Sequence, residues 1–278
     1  GVNQTGAFWG GNLVANDTIS ASLGTYNFAT SGLYTLKAWS SGPNSQTDIL
    51  RYNDTIQTIL CTPLSGNLTI NPALPSGNGN FTNFTSLVQL VQTCGVAGDV
   101  TVNVAAGVYN EKVVFNPILG INNGSRLRFI GADSANTIIT FAGSSTTDRT
   151  TVLFNGADNI SFRNFKIENT GSSYATAVQI LGSATDRSDS LTFEKCTFTV
   201  TPGVVSTYVN PFEVSSLNTS PTSTTYINAT ALTVDSCSVL NGYYGMTICA
   251  PTTTRSFGNR ISNSVFFDNN YMFGYFYG

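Results

Sequence analysis

The chain has 278 residues, with 12 Lys or Arg against 15 Asp or Glu, a formal charge of −3 and a charged fraction of 10%. That balance argues against a nucleic-acid binder, which needs a basic stripe to neutralise phosphates, and no apolar run approaches the ~18 residues of a membrane span. Histidine is absent, which removes the commonest proton-transfer side chain near neutral pH and the commonest metal ligand.

Residues 1–62 carry four candidate strands, 7–14, 18–28, 33–40 and 54–61, divided by Gly, Asn and Pro signals. The second and third alternate as half-buried antiparallel strands do. Four strands are too few for a sandwich of about seven, so the expectation is a partial sandwich whose other strands are missing or supplied from elsewhere. Residues 63–82, rich in Pro, Gly, Asn and Ser, read as a linker. From Phe84 the pattern changes: Phe84, Leu87, Val88 and Val91 have helical spacing, Thr82 or Asn83 can cap the start, and Gly95 can stop it. Short strands are then expected at 100–105, 112–115, 125–130, 137–141 and 151–154.

The segment that follows repeats itself. Asn159-Ile160-Ser161-Phe162-Arg163-Asn164-Phe165-Lys166-Ile167 is echoed by Ser190-Leu191-Thr192-Phe193-Glu194-Lys195-Cys196-Thr197-Phe198. It returns as Ala231-Leu232-Thr233-Val234-Asp235-Ser236-Cys237-Ser238-Val239, and more loosely around Arg260–Phe266. Apolar residues take the second, fourth, seventh and ninth places. The pattern is two period-two strands with a bend between them, where one extra residue resets the pleat. Self-similarity with loops of variable length predicts a solenoid, here a parallel β-helix with residues 83–278 as its extent and the helix capping its open end.

Five cysteines cannot form a closed disulfide framework. Cys196 and Cys237 occupy the repeat place of Phe165 and read as small inward residues. Cys61 and Cys94 are candidates to pair, and Cys249 falls on an inward strand position. No CxxC spacing points to zinc, and no metal or cofactor is expected.

Residues 84–200, with Gly98–Val104, Ala106–Val113, Ile130-Gly131-Ala132-Asp133 and Phe162–Thr170, resemble pectin-lyase-like β-helices, particularly pectin methylesterases. The resemblance implies a right-handed parallel β-helix and, in the esterases, two catalytic aspartates and an arginine on one sheet. After Phe198, where the first aspartate belongs, this chain reads Thr199-Val200-Thr201-Pro202-Gly203. Gly32–Ser40 followed by Asn53-Asp54-Thr55-Ile56 resembles the last strands of cell-adhesion-type Ig-like modules. Together the two parts resemble a segment of large Bacteroidota cell-surface adhesins, including gliding-motility-type proteins exported by type IX secretion through a sorting region outside this segment.

The outer-face candidates for chemistry are Asp186, Arg187, Asp189, Glu194 and Lys195, with Arg163, Lys166 and Glu168 one repeat earlier. Stacked strands lie ~4.8 Å apart, so Arg163 and Glu194 are expected to form a surface pair. Asp186 and Asp189 flank one loop and offer a carboxylate pair. Tyr271, Tyr275 and Tyr277 are candidate glycan-facing aromatics. Thr18, Thr55, Ser134 and Ser190 lie in Asp-Ser/Thr-apolar sites, the O-glycosylation pattern of Bacteroidota proteins. The resulting expectation has no catalytic, cofactor or metal residues. It is an all-β, non-enzymatic extracellular or cell-surface segment presenting loops such as 201–228 to surface glycans or to other chains of its assembly. The alternatives are a carbohydrate-active β-helix of lyase or esterase type, with catalytic turns outside this segment, and a filament subunit assembled by strand complementation.

Overall fold

A computed structural model describes residues 3–4, 6–12, 14, 18–28, 32–41, 54–121, 124–253 and 255–278. Two units separate, residues 1–30 and 31–278. The described residues of the first form no strand. The strands expected at 7–14 and 18–28 are therefore corrected: alternation alone makes no ladder without a partner. Residues 13 and 15–17 lie outside the described ones.

In the second unit, Gly32–Trp39 pairs antiparallel with Thr55–Thr62. The rest is a solenoid of parallel strands in three sheets. The longest sheet runs Asn80–Phe81, Leu64–Ile70, Val96–Val104, Leu127–Gly131, Ile160–Arg163, Thr192–Glu194, Thr233–Asp235 and Arg260–Ser262 in spatial order. The second sheet holds Gly107–Asn110, Thr137–Phe141, Lys166–Asn169, Thr197–Val200, Ser238–Leu240 and Val265–Phe267. The third holds Val113–Phe115, Thr150–Asn155, Ala175–Leu181, Val209–Ser215, Tyr244–Cys249 and Met272–Tyr277. This is the right-handed parallel β-helix that the repeats predict. No helix among the described residues is long and apolar enough to cross a membrane.

The extra residue of each repeat is the one that turns the corner. Asn164, Lys195, Ser236 and Asn263 sit between the long and second sheets with φ of 64°, 54°, 54° and 50°. A left-handed residue breaks the alternation there, and the chain resumes its pleat in a new direction. Inward residues then stack rung on rung. Phe129 lies 4.8 Å from Phe162 and Phe162 6.1 Å from Phe193, ring centre to ring centre and nearly parallel. Each such fully buried side chain contributes about 1.5–3 kcal/mol through burial.

Two expectations change. Leu64–Ile70, read as linker, belongs to the long sheet and pairs with Val96–Val104. Gly66 and Asn67 look like a turn in sequence, but Gly66 absorbs a register shift at φ 82° within the strand. Val209–Ser215 crosses the segment 201–228 as a third-sheet strand. Pro211 and Glu213 mask its strand character, since both are unusual inside a sheet.

The helix Phe84–Cys94 covers the first rungs, with Phe84, Leu87, Val88 and Val91 buried. Asn83 caps it by accepting the Ser86 amide at 2.8 Å. Glu111, from the rung below, accepts the amides of Phe84 and Thr85 at 3.0 and 2.8 Å and the Thr85 hydroxyl at 2.7 Å. A carboxylate there satisfies orphan donors and complements the positive helix end. Glu111→Ala should lower stability by about 1–2 kcal/mol, read as a lower urea midpoint at unchanged slope. Cys61 and Cys94 form a disulfide, Cα–Cα 5.2 Å, tying the Thr55–Thr62 strand to the helix end.

Candidate functional site

Each rung enters the long sheet through a second left-handed corner, at Asn159 (φ 51°), Ser190 (58°) and Ala231 (52°). The residues just before these corners are Asp158, Asp189 and Thr230. Asp189 and Thr230 are in register in the short pair Ser188–Asp189 and Ala229–Thr230. The Asn159 amide bonds to the Asp189 carbonyl at 2.9 Å, which sets Asp158 one rung from Asp189. Two aspartates thus lie on successive rungs at the edge of the long sheet, about 4.8 Å apart by strand spacing.

A cleft of about 510 Å³ opens beside them, lined by Asp158, Asp186, Arg187, Asp189, Thr185 and Tyr226 among others. Asp158 Oδ1 accepts the Asp189 amide at 2.7 Å. Arg187 Nε donates to both Asp189 oxygens at 3.0 and 3.1 Å, and the Thr230 hydroxyl donates to Oδ1. The Arg187 guanidinium lies 5.9 Å over the Phe257 ring. Asp186 packs over Gly156, where an added Cβ would come within 2.5 Å of its Oδ2. At φ 75° that position also disfavours any other residue.

The two rung carboxyls have opposite environments. Burial pushes the Asp158 carboxyl above its ordinary value, and the charges of Asp189 and Asp186 add to the rise against the lowering effects of the Asp189 amide and Arg187. Asp189 instead has a guanidinium and a hydroxyl on its oxygens. The two carboxyls thus differ in their hydrogen-bond partners, an arrangement that suits acid–base work. Among the described residues no group of three or more His, Cys, Asp or Glu is arranged to hold a metal ion.

On the outer face of the long sheet the charges find partners within the face. Arg163 and Glu194 are in register, 3.6 Å apart. Asp235 is next in the column and accepts Ser262 Oγ at 2.6 Å and Asn263 Nδ2 at 2.9 Å, which hold its carboxyl low. Arg128 meets Asp99 at 2.8 Å and holds that carboxyl low as well.

Of the sequence candidates, Asp186, Arg187 and Asp189 therefore converge in the cleft. Arg163 and Glu194 lie on the sheet face, while Lys166 pairs with Glu168 on the second sheet and Lys195 is an exposed corner residue. Sequence reasoning missed Asp158. The repeat frame was begun at Asn159, Ser190 and Ala231; one residue earlier it reads Asp158, Asp189, Thr230 and exposes the column. Thr18, Thr55 and Ser190 are exposed, and Ser134 is half-buried in the turn after Leu127–Gly131. Tyr271 is 61% exposed with its ring stacked on Tyr243 at 5.0 Å, and Tyr275 and Tyr277 lie parallel at 6.4 Å.

No family model matches the chain, and no curated protein does. Among solved structures it is similar to the pectin methylesterase PemA of Erwinia chrysanthemi, at 15% identity, covering 77% of this chain and 71% of that one, TM-score 0.46. It is similar to the carrot pectin methylesterase at 16% identity over 75% of this chain and 65% of that one, TM-score 0.46. A pectin methylesterase solved with a hexasaccharide gives 14% identity, 74% and 67% coverage and a TM-score of 0.45. The expectation of a non-enzymatic chain is corrected by these findings, because the similar structures are enzymes. At such identities the likeness is one of fold alone, and the parallel β-helix itself rests on the strand order and pairing.

Proposed function

We propose that the chain is a carbohydrate-active β-helix that cleaves a bond of an uncharged polysaccharide at the Asp158–Asp189 cleft. The observation that carries this reading is the pair of carboxyls one rung apart in opposed environments. Asp158 is the general acid, giving its proton to the leaving oxygen. Asp189, oriented by Arg187 and Thr230, is the nucleophile or the base that activates water.

The substrate class follows from the surroundings. The cleft is open and lined mainly by hydroxyls and carboxylates, with Ala184, Ile227 and Pro251 as its apolar members, which suits a polyhydroxylated ligand more than a small apolar one. It adjoins the face of the eight-stranded sheet, which carries Ser161, Thr192, Thr233 and paired charges on successive rungs. With three aspartates against one arginine, the cleft repels a polyanion, so a neutral or charge-masked chain fits best. The test is reducing-end and ester-hydrolysis assays on neutral, esterified and acidic polysaccharides. Activity on an uncharged polymer, lost in Asp189→Asn with the fold intact, is expected; no turnover of any of them sinks the reading.

A second reading keeps the chain as part of a Bacteroidota-type cell-surface adhesin with a partial Ig-like module over residues 1–62. The exposed Tyr271, stacked on the half-buried Tyr243, and the exposed Tyr277, stacked on the half-buried Tyr275, favour it, since such rings offer faces for sugar stacking. The Cys61–Cys94 disulfide supports an oxidising, extracellular setting for both readings.

A further inference from the structure

Cys196 and Cys237 take the same place on successive rungs, because Glu194 is in register with Asp235 and Thr197 with Ser238. Strand spacing sets their backbones about 4.8 Å apart, inside the ~4.4–6.8 Å Cα span of a disulfide. Cys237 Sγ lies between the two rungs and accepts the Cys196 amide at 3.4 Å, while Cys196 Sγ lies 3.5 Å from the Phe162 carbonyl and 3.4 Å from that of Glu194. Each is 2% exposed. The same chain already carries one disulfide, so it matures where thiols are oxidised.

We infer that Cys196 and Cys237 are a disulfide-forming pair that closes into a rung-to-rung bridge on oxidation. The asymmetry of the pair gives the order of events. A hydrogen bond from Cys196 holds the Cys237 thiol low, while burial raises that of Cys196. Cys237 Sγ therefore loses its proton first and attacks one sulfur of a small disulfide such as oxidised glutathione, releasing one thiol. Cys196 Sγ, losing its proton, then displaces the second half from the mixed disulfide. Two S–H bonds are lost and one protein S–S bond forms. Two electrons and two protons pass to the oxidant, which becomes two thiols. The third free cysteine, Cys249, is pushed up to about 12 by burial and by the Glu213 charge, and stays reduced.

The bridge closes a loop that contains Val209–Ser215 and the residues of the cleft wall at Thr225 and Tyr226, so it ties that wall to the repeats beneath it. The test is wild-type protein equilibrated in oxidised-glutathione buffer, denatured, alkylated without reductant and weighed intact. The expected result is one alkylated cysteine, Cys249, and a mass about 2 Da below the thiol form before alkylation. Cleavage before Asp235 should leave the Cys196 and Cys237 peptides joined until reduction. The melting temperature should rise by about 5–10 °C on oxidation, and the rise should vanish in Cys237→Ser. Three alkylated thiols per chain, or a bridge that includes Cys249, overturns the inference. Because the wild-type mass decides it, the result stands even if the serine variant fails to fold.

Discussion

Arg149→Met should destabilise the protein by about 3–5 kcal/mol, the largest single-residue effect expected outside the aromatic stack. Arg149 and Glu213 are fully buried, joined by two bonds of 2.5 Å from Nη1 and Nη2 to the two carboxylate oxygens. Glu213 also accepts from Asn210 at 2.7 Å, Thr176 at 3.3 Å and Gln179 at 3.3 Å. Arg149 Nε donates to the Asn218 carbonyl at 3.1 Å, and Asn218 Nδ2 returns a bond to the Thr147 carbonyl at 3.0 Å. The pair thus pins the segment around Asn218 over the third sheet. A buried ion pair adds little net stability when every polar atom is satisfied, but removing one partner strands the other charge. Arg149→Met leaves Glu213 with neutral donors only. Arg149→Met with Glu213→Gln removes the stranded charge and keeps an acceptor for Asn210, so it should recover much of the loss. Urea denaturation of the wild type, the single and the double variant decides it. If the double variant is as unstable as the single, lost packing rather than a stranded charge sets the effect.

This network was not legible in the sequence, and the reason is physical. Arg149 and Glu213 are 64 positions apart, and each sits in a stretch whose polar residues read as loop. The repeats were legible because a solenoid buries identical places on every rung. Phe162, Phe193 and Val234 are all fully buried at one repeat position. The corner residues were visible as an extra place between strands, and the cap at Asn83 as an Asn before a helical apolar stripe. What periodicity does not report is a chemically active column: Asp158 and Asp189 lie one residue outside the apolar frame, where inward burial exerts no selection on pattern. Nor does it report the Val209–Ser215 strand, whose Pro211 and Glu213 face a polar layer under the covering segment rather than solvent. Local pattern names core places reliably, and polar places only where repetition is read in the right frame.

Asp158→Asn should separate catalysis from stability in opposite directions. Asparagine keeps Oδ1 for the Asp189 amide that Asp158 now accepts at 2.7 Å, so the local geometry survives. It cannot give up a proton, so cleavage should fall by about 100–10,000-fold, the usual contribution of a positioned acid. The wild-type rate should decline as pH rises through the raised Asp158 value, because only the protonated form serves; the variant should lack that limb. The stability sign is fixed by the same shift. Asp158 binds its proton more tightly folded than unfolded, where its ordinary value is 3.8. Its contribution is therefore fully present below that value and is lost as pH rises through the folded one. Once ionised, Asp158 is a carboxylate disfavoured by burial and by Asp189 and Asp186, which the neutral amide relieves. The melting temperature of Asp158→Asn should equal or exceed that of the wild type at pH 7 and fall relative to it in acid. A variant that loses activity only in proportion to lost folded protein would make Asp158 a structural strut and remove the acid from the proposed site. Gained stability together with lost turnover is the mark of a residue kept strained for chemistry, which a surface carboxylate in a solvated ladder such as Asp235 would not give.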